Sequence, residues 1–137
     1  METKEKIETI LSQCWGTEGY RYTPILKAAG MVYTNGIRTL TNMADCWWLI
    51  GAIASYQSQA IKDCELSYKQ FWTLTVHEDK SATLICERDT DDIIFTQKID
   101  YTDFPLPEIK IWLEAGQTSY GKGNTKRVMV AMLPNER

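Results

Sequence analysis

The sequence predicts an α+β domain, with N-terminal helices packed on one face of a roughly five-stranded antiparallel meander sheet. Two observations carry that expectation. Up to about residue 65 the apolar residues recur with a helical rhythm, and beyond it they alternate with a period of two. The alternating segments follow one another through short turns, which favours antiparallel pairing of neighbours. A length of 137 residues suits one domain, so residues 1–137 are read as a single unit with its own core.

The first helix is expected over about residues 4 to 14. Thr3 stands where an N-cap belongs, Ile7, Ile10, Leu11 and Cys14 fall on one face, and Gly16 ends the run. Residues 15–30 hold Pro24 and three glycines and read as loop with a short helical turn. Met31–Thr34 is a short extended segment, and Asn35-Gly36 is a dipeptide typical of tight turns. Ile37, Leu40, Ala44, Trp47, Gly51 and Ala54 then keep a helical spacing, with Asp45 as a point of interruption and re-capping. The stretch from Cys46 to Ala60 is apolar nearly all round at its start and reads as a buried central helix. Trp47 and Trp48 lie about 100° apart on such a helix and cannot share one place in the core.

Five strands follow. Phe71–Glu78 puts Trp72, Leu74 and Val76 on one face. Ala82–Glu87, Ile93–Tyr101, Ile109–Leu113 and Val128–Leu133 complete the set. Asp79-Lys80-Ser81 and Arg88–Asp92 read as turns, Asp103–Pro107 as a bend fixed by two prolines, and Gly116–Thr125 as a polar loop.

Composition narrows the function classes. Apolar residues make up 44% and charged residues 24%, ordinary globular usage with five Trp and seven Tyr. A net charge of -3 argues against nucleic acid as the main partner. The start METKEKIE has no apolar signal region, and the apolar run Cys46–Ala54 is too short to span a bilayer. The expected place is the cytoplasm, with no membrane contact. Cys14, Cys46, Cys64 and Cys86 are widely spaced, so free thiols are expected, with neither disulfides nor structural zinc. No metal or cofactor is implied.

The segments WGTEGY (15–20), MVYTNGIRTL (31–40), ADCWWLIGAIASYQ (44–57), FWTLTV (71–76) and IDYTDFPL (99–106) resemble, in this order, a bacterial family of unknown function. Its members look like cargo of plasmids, phages and other mobile elements. The resemblance implies a fold and a genomic setting, and it assigns no activity and no functional residue.

Several residues could carry chemistry. His77 is the single histidine and has no partner motif, so it reads as a sheet-edge side chain rather than a base. Cys46 would gain from a helix N-terminus, but Asp45 and the flanking tryptophans favour a packed, inert thiol. Glu87, Asp89, Asp91 and Asp92 form an acidic turn that lacks the calcium-loop pattern. Ser55 and Ser58 lack a nucleophile elbow. Glu18, Asp45 and Asp103 are the carboxylates an enzyme reading would use. Lys122, Lys126 and Arg127 form a compact basic loop that could touch phosphate or simply connect strands. Trp15, Glu18, Tyr20, Arg21, Tyr22 and Tyr33 form an aromatic segment with an interleaved charge pair. It either covers one end of the core or forms a recognition surface. The expected function is a non-enzymatic protein-interaction or accessory module, with a protein partner or a second copy of the chain. The alternatives are a carboxylate enzyme and a weak nucleic-acid binder through residues 121–127.

Overall fold

The computed structural model describes residues 20–118 and 126–136. The expected helix at 4–14 lies outside the described residues, as do Trp15, Glu18 and Lys122. Among the described residues no helix is long and apolar enough to cross a membrane.

Helix α1, Pro24–Ala28, starts because the Thr23 hydroxyl accepts the Leu26 N–H at 3.2 Å and Pro24 stands in the first turn, where a missing N–H costs nothing. Gly30, at φ 73, turns the chain into strand β1, Met31–Tyr33. Helix α2, Asn35–Ala44, follows at once. Asn35-Gly36 therefore opens a helix instead of making the expected tight turn. The Thr34 hydroxyl accepts the Ile37 N–H and the Glu136 carboxylate accepts the Gly36 N–H at 3.0 Å, so two otherwise orphaned donors are satisfied. Asp45, at φ 50, ends α2 in the left-handed region, where the sequence expected the interruption. Helix α3, Trp47–Ser55, has no side-chain cap at its start. Packing holds it instead: Leu49, Ile50 and Ile53 are fully buried, and each contributes about 1.5–3 kcal/mol. The buried central helix expected over 46–60 is thus two pieces, α3 and the four-residue α4, Gln57–Ala60.

The sheet corrects the expected topology. Strands β2 (Lys69–Val76), β3 (Ala82–Asp89) and β4 (Asp92–Ile99) do form an antiparallel meander. Strand β5, Glu108–Thr118, then pairs with the opposite side of β2, with Leu74 facing Ile109 and Phe71 facing Trp112. Strand β6, Lys126–Met132, pairs antiparallel with β5, and β1 joins it in parallel through Val32 and Val130. The result is a six-stranded mixed sheet in the order β1-β6-β5-β2-β3-β4. The cause lies in residues 100–107, read from sequence as a simple bend. Phe104 and Leu106 are buried there, while the Thr102 N–H donates to Lys80 O and the Val76 N–H to Pro107 O, both at 2.8 Å. Apolar anchors and backbone bonds thus carry the chain across the end of the sheet.

The α+β class stands. Trp72, Leu74, Leu84, Cys86, Ile111, Leu113, Met129 and Ala131 form one core cluster with Ile37 and Leu40 of α2 and Leu49, Ile50 and Ile53 of α3. Val32, Val128, Val130 and Met132 alternate to the other side and form a second cluster with Trp112.

Candidate functional site

Exposed aromatic rings stand where the start of α3 meets the end of the sheet. Successive helical residues diverge by about 100°, and Trp47 and Trp48 accordingly point to different neighbours. Trp47 packs edge-on against Tyr33, with centroids 5.2 Å apart and an interplanar angle of 80°. Trp48 lines a shallow cleft of about 280 Å³ with Ile99, Tyr101, Thr102 and Asp103. Each tryptophan is 39% exposed and Tyr101 is 69% exposed. Large rings left this open in a chain that buries Trp72 completely are not needed for the core.

Both walls of this cleft are pinned. Leu49, Ile50 and Ile53 anchor α3 from below. The Phe104 N–H donates to the Thr102 hydroxyl at 3.1 Å, and Thr102 is itself tied to Lys80. The backbone that carries the rings is therefore fixed before any partner arrives, which spares ordering entropy on binding.

The aromatic segment singled out in the sequence is divided by the fold. Tyr33 is buried and becomes the support for Trp47. Arg21 pairs with Tyr33 through both backbone bonds, at 2.8 and 2.9 Å, and its Nε donates to Asn35 Oδ1 at 2.8 Å. Tyr22 is exposed, with the Lys27 ammonium 5.8 Å from its ring centroid. Tyr20 is exposed too, and its hydroxyl approaches Gly116 of β5. Arg21, Tyr33 and Trp47 thus form a connected set, while Trp15 and Glu18 lie outside the described residues. The sequence reading missed Trp47, Trp48 and Tyr101 as surface residues. The available signal was two adjacent tryptophans, of which one helix face can bury only one.

The remaining candidates resolve individually. Cys46 is fully buried, its thiol points to Leu40 O at 3.9 Å, and burial, reinforced by the Asp45 carboxylate, pushes its pKa up to about 12. It is a packed thiol and no nucleophile at neutral pH. His77 is exposed, with Nε2 3.0 Å from the Thr83 hydroxyl. The acidic turn satisfies itself: Glu87 accepts the Asp91 N–H at 2.9 Å and Asp89 the Thr90 N–H at 2.8 Å. Among the described residues, no three His, Cys, Asp or Glu side chains gather as a metal-ligand group. The Ser55 hydroxyl donates to Ala52 O at 2.6 Å and Ser58 is exposed, as are Asp45 and Asp103. Lys126 and Arg127 are adjacent on β6 and so point to opposite faces. Arg127 lies 4.6 Å over the Tyr68 ring and donates to Ser67 O at 2.6 Å, so much of its capacity is already used.

A family model describing a family of unknown function, DUF6876, matches residues 5–137. The chain belongs to that family. The match covers the described fold from the aromatic entry segment to the Glu136 carboxylate. No curated protein and no solved structure matches the chain.

Proposed function

We propose that this chain is a non-enzymatic protein-interaction module that docks a partner protein against Trp47, Trp48 and Tyr101, and that it serves in the cytoplasm as an accessory of a bacterial mobile element. The observation that carries the docking surface is the pair of tryptophans, each 39% exposed, on a helix whose opposite side is locked into the core. Aromatic anchors on a fixed backbone can dominate interface energetics, at about 2 kcal/mol or more per hot-spot residue. The mobile-element setting rests on the resemblance of the segments quoted above.

The test is affinity capture with tagged wild-type protein and the variants Trp48→Ala and Tyr101→Ala, each checked for an unchanged melting curve. The reading expects one protein, enriched by the wild type, to be lost with both variants. Equal capture by all three would overturn it. A gain in mass by light scattering that vanishes in both variants would identify the partner as a second copy.

A further inference from the structure

We propose that the sheet face opposite α2 and α3 carries a saccharide-binding cleft floored by Trp112, Phe71 and Thr73. It lies on a different face from the docking surface proposed above and does not depend on it. Strand register assembles the site. Phe71 on β2 is the partner of Trp112 on β5 and of Glu87 on β3, while Thr73 is the partner of Lys110. All five side chains therefore project to the same side. Asp89 and Thr90, at the turn after β3, close one end, and the cleft encloses about 370 Å³. That is room for a small ligand.

The lining decides which ligand. Phe71 and Trp112 meet edge to face at 86°, with centroids 5.3 Å apart, and both half-buried rings line the cleft with apolar surface. Around the rings stand two carboxylates, one ammonium and two hydroxyls. An organic cation would meet Lys110 and an anion would meet Glu87 and Asp89, so either loses part of what it gains. A neutral polyol meets no such opposition. A pyranose ring presents polarised C–H groups on its face, which suit the negative face of an indole, and hydroxyls at its edge, which suit mixed donors and acceptors.

Thr73 is only 9% exposed and lines the floor of the cleft, where its hydroxyl can meet a ligand oxygen.

Saturation-transfer NMR tests this with glucose, galactose, mannose and N-acetylglucosamine, and with cellotriose, maltotriose and chitotriose. The monosaccharide and trisaccharide arms separate a free sugar from a glycan chain. The expected result is saturation of ring C–H protons in at least one saccharide, with Kd weakened at least tenfold by Trp112→Ala and several-fold by Thr73→Val. Thr73→Val keeps the side-chain shape and guards against a folding defect in the tryptophan variant. Trp48→Ala should leave saccharide binding unchanged. The proposal is overturned if no saccharide in either arm receives saturation, or if both cleft variants bind as wild type. Binding of tetramethylammonium in their place, lost in Trp112→Ala, would also overturn it.

Discussion

The carboxylate of Glu136 occupies the space where a side chain on Gly36 would stand. It accepts the Gly36 N–H at 3.0 Å, the Leu133 N–H at 2.9 Å and the Thr34 hydroxyl at 2.5 Å. One buried acidic residue near the end of the chain thus fixes the start of α2. Gly36→Ala forces the carboxylate away, and overpacking of this kind costs about 1–3 kcal/mol. Glu136→Ala removes the acceptor and leaves three donors to find others, at about 1–3 kcal/mol for each one that stays buried. Because the residues touch, the double variant should lose less than the sum of the single losses. Urea unfolding of the four proteins checks this, and additive losses would show that the contact is not what holds α2.

This pair also shows where sequence reasoning ends. Asn35-Gly36 is a turn signal on local grounds, and a carboxylate 100 positions away overrides it. The strands β2 to β6 were legible because one side of each packs on a core, so Trp72 and Leu74, or Ile111 and Leu113, repeat with period two. Their spatial order was not legible. Phe104 and Leu106 carry the chain across the sheet end without any periodic pattern, and β1 is three residues long. The candidate surfaces suffered from the same gap. Trp48 and Tyr101, or Phe71 and Trp112, become neighbours only once α3 and β5 are in place.

The core contains a polar lock between the helical region and the sheet. Gln57 and Gln70 exchange amide hydrogen bonds at 2.9 and 2.8 Å, and the Trp72 indole N–H donates to Gln70 Oε1 at 2.8 Å. Spare donors go to Ile53 O and Leu66 O, at 3.1 and 3.0 Å. Both glutamines are almost wholly buried. Gln70→Leu orphans the indole N–H and half of the Gln57 amide, so a loss of about 2–4 kcal/mol is expected from unsatisfied groups. Adding Gln57→Leu removes the second stranded amide and should restore part of that loss. Denaturant midpoints of the single and double variants measure the recovery; a double variant as unstable as the sum would refute the network.

Acid should act through Asp63. Its carboxyl is held below the usual range by the Leu66 and Glu65 N–H groups and, to a smaller degree, by Arg88, 2.7 Å away. A depressed folded-state pKa stabilises the fold above the unfolded value and loses that contribution as pH falls through the folded one. Asp63→Asn should therefore be less stable than wild type at pH 6, with the gap narrowing below about pH 4. Melting temperatures of both proteins across that range provide the check, and a constant gap would remove Asp63 from the account.

Alkali should act through the buried thiols. Burial first, and neighbouring carboxylates after it, push Cys46 and Cys86 up to about 12 from 9.0. The folded protein therefore keeps both protons after the unfolded chain has begun to release them. A group whose folded pKa is raised contributes its stability fully below the unfolded value and loses it as pH rises towards the folded one. Between about pH 9 and 12 each thiol should lower stability by about 1 kcal/mol per pH unit. Cys64, by contrast, is exposed and should react with a thiol reagent in the native state, while Cys46 and Cys86 react only on unfolding. Mass-resolved alkylation at pH 8, native and in urea, separates the two classes. Cys46→Ala/Cys86→Ala should flatten the alkaline loss even though the cavities lower stability overall, and an unchanged slope would assign that loss to other groups.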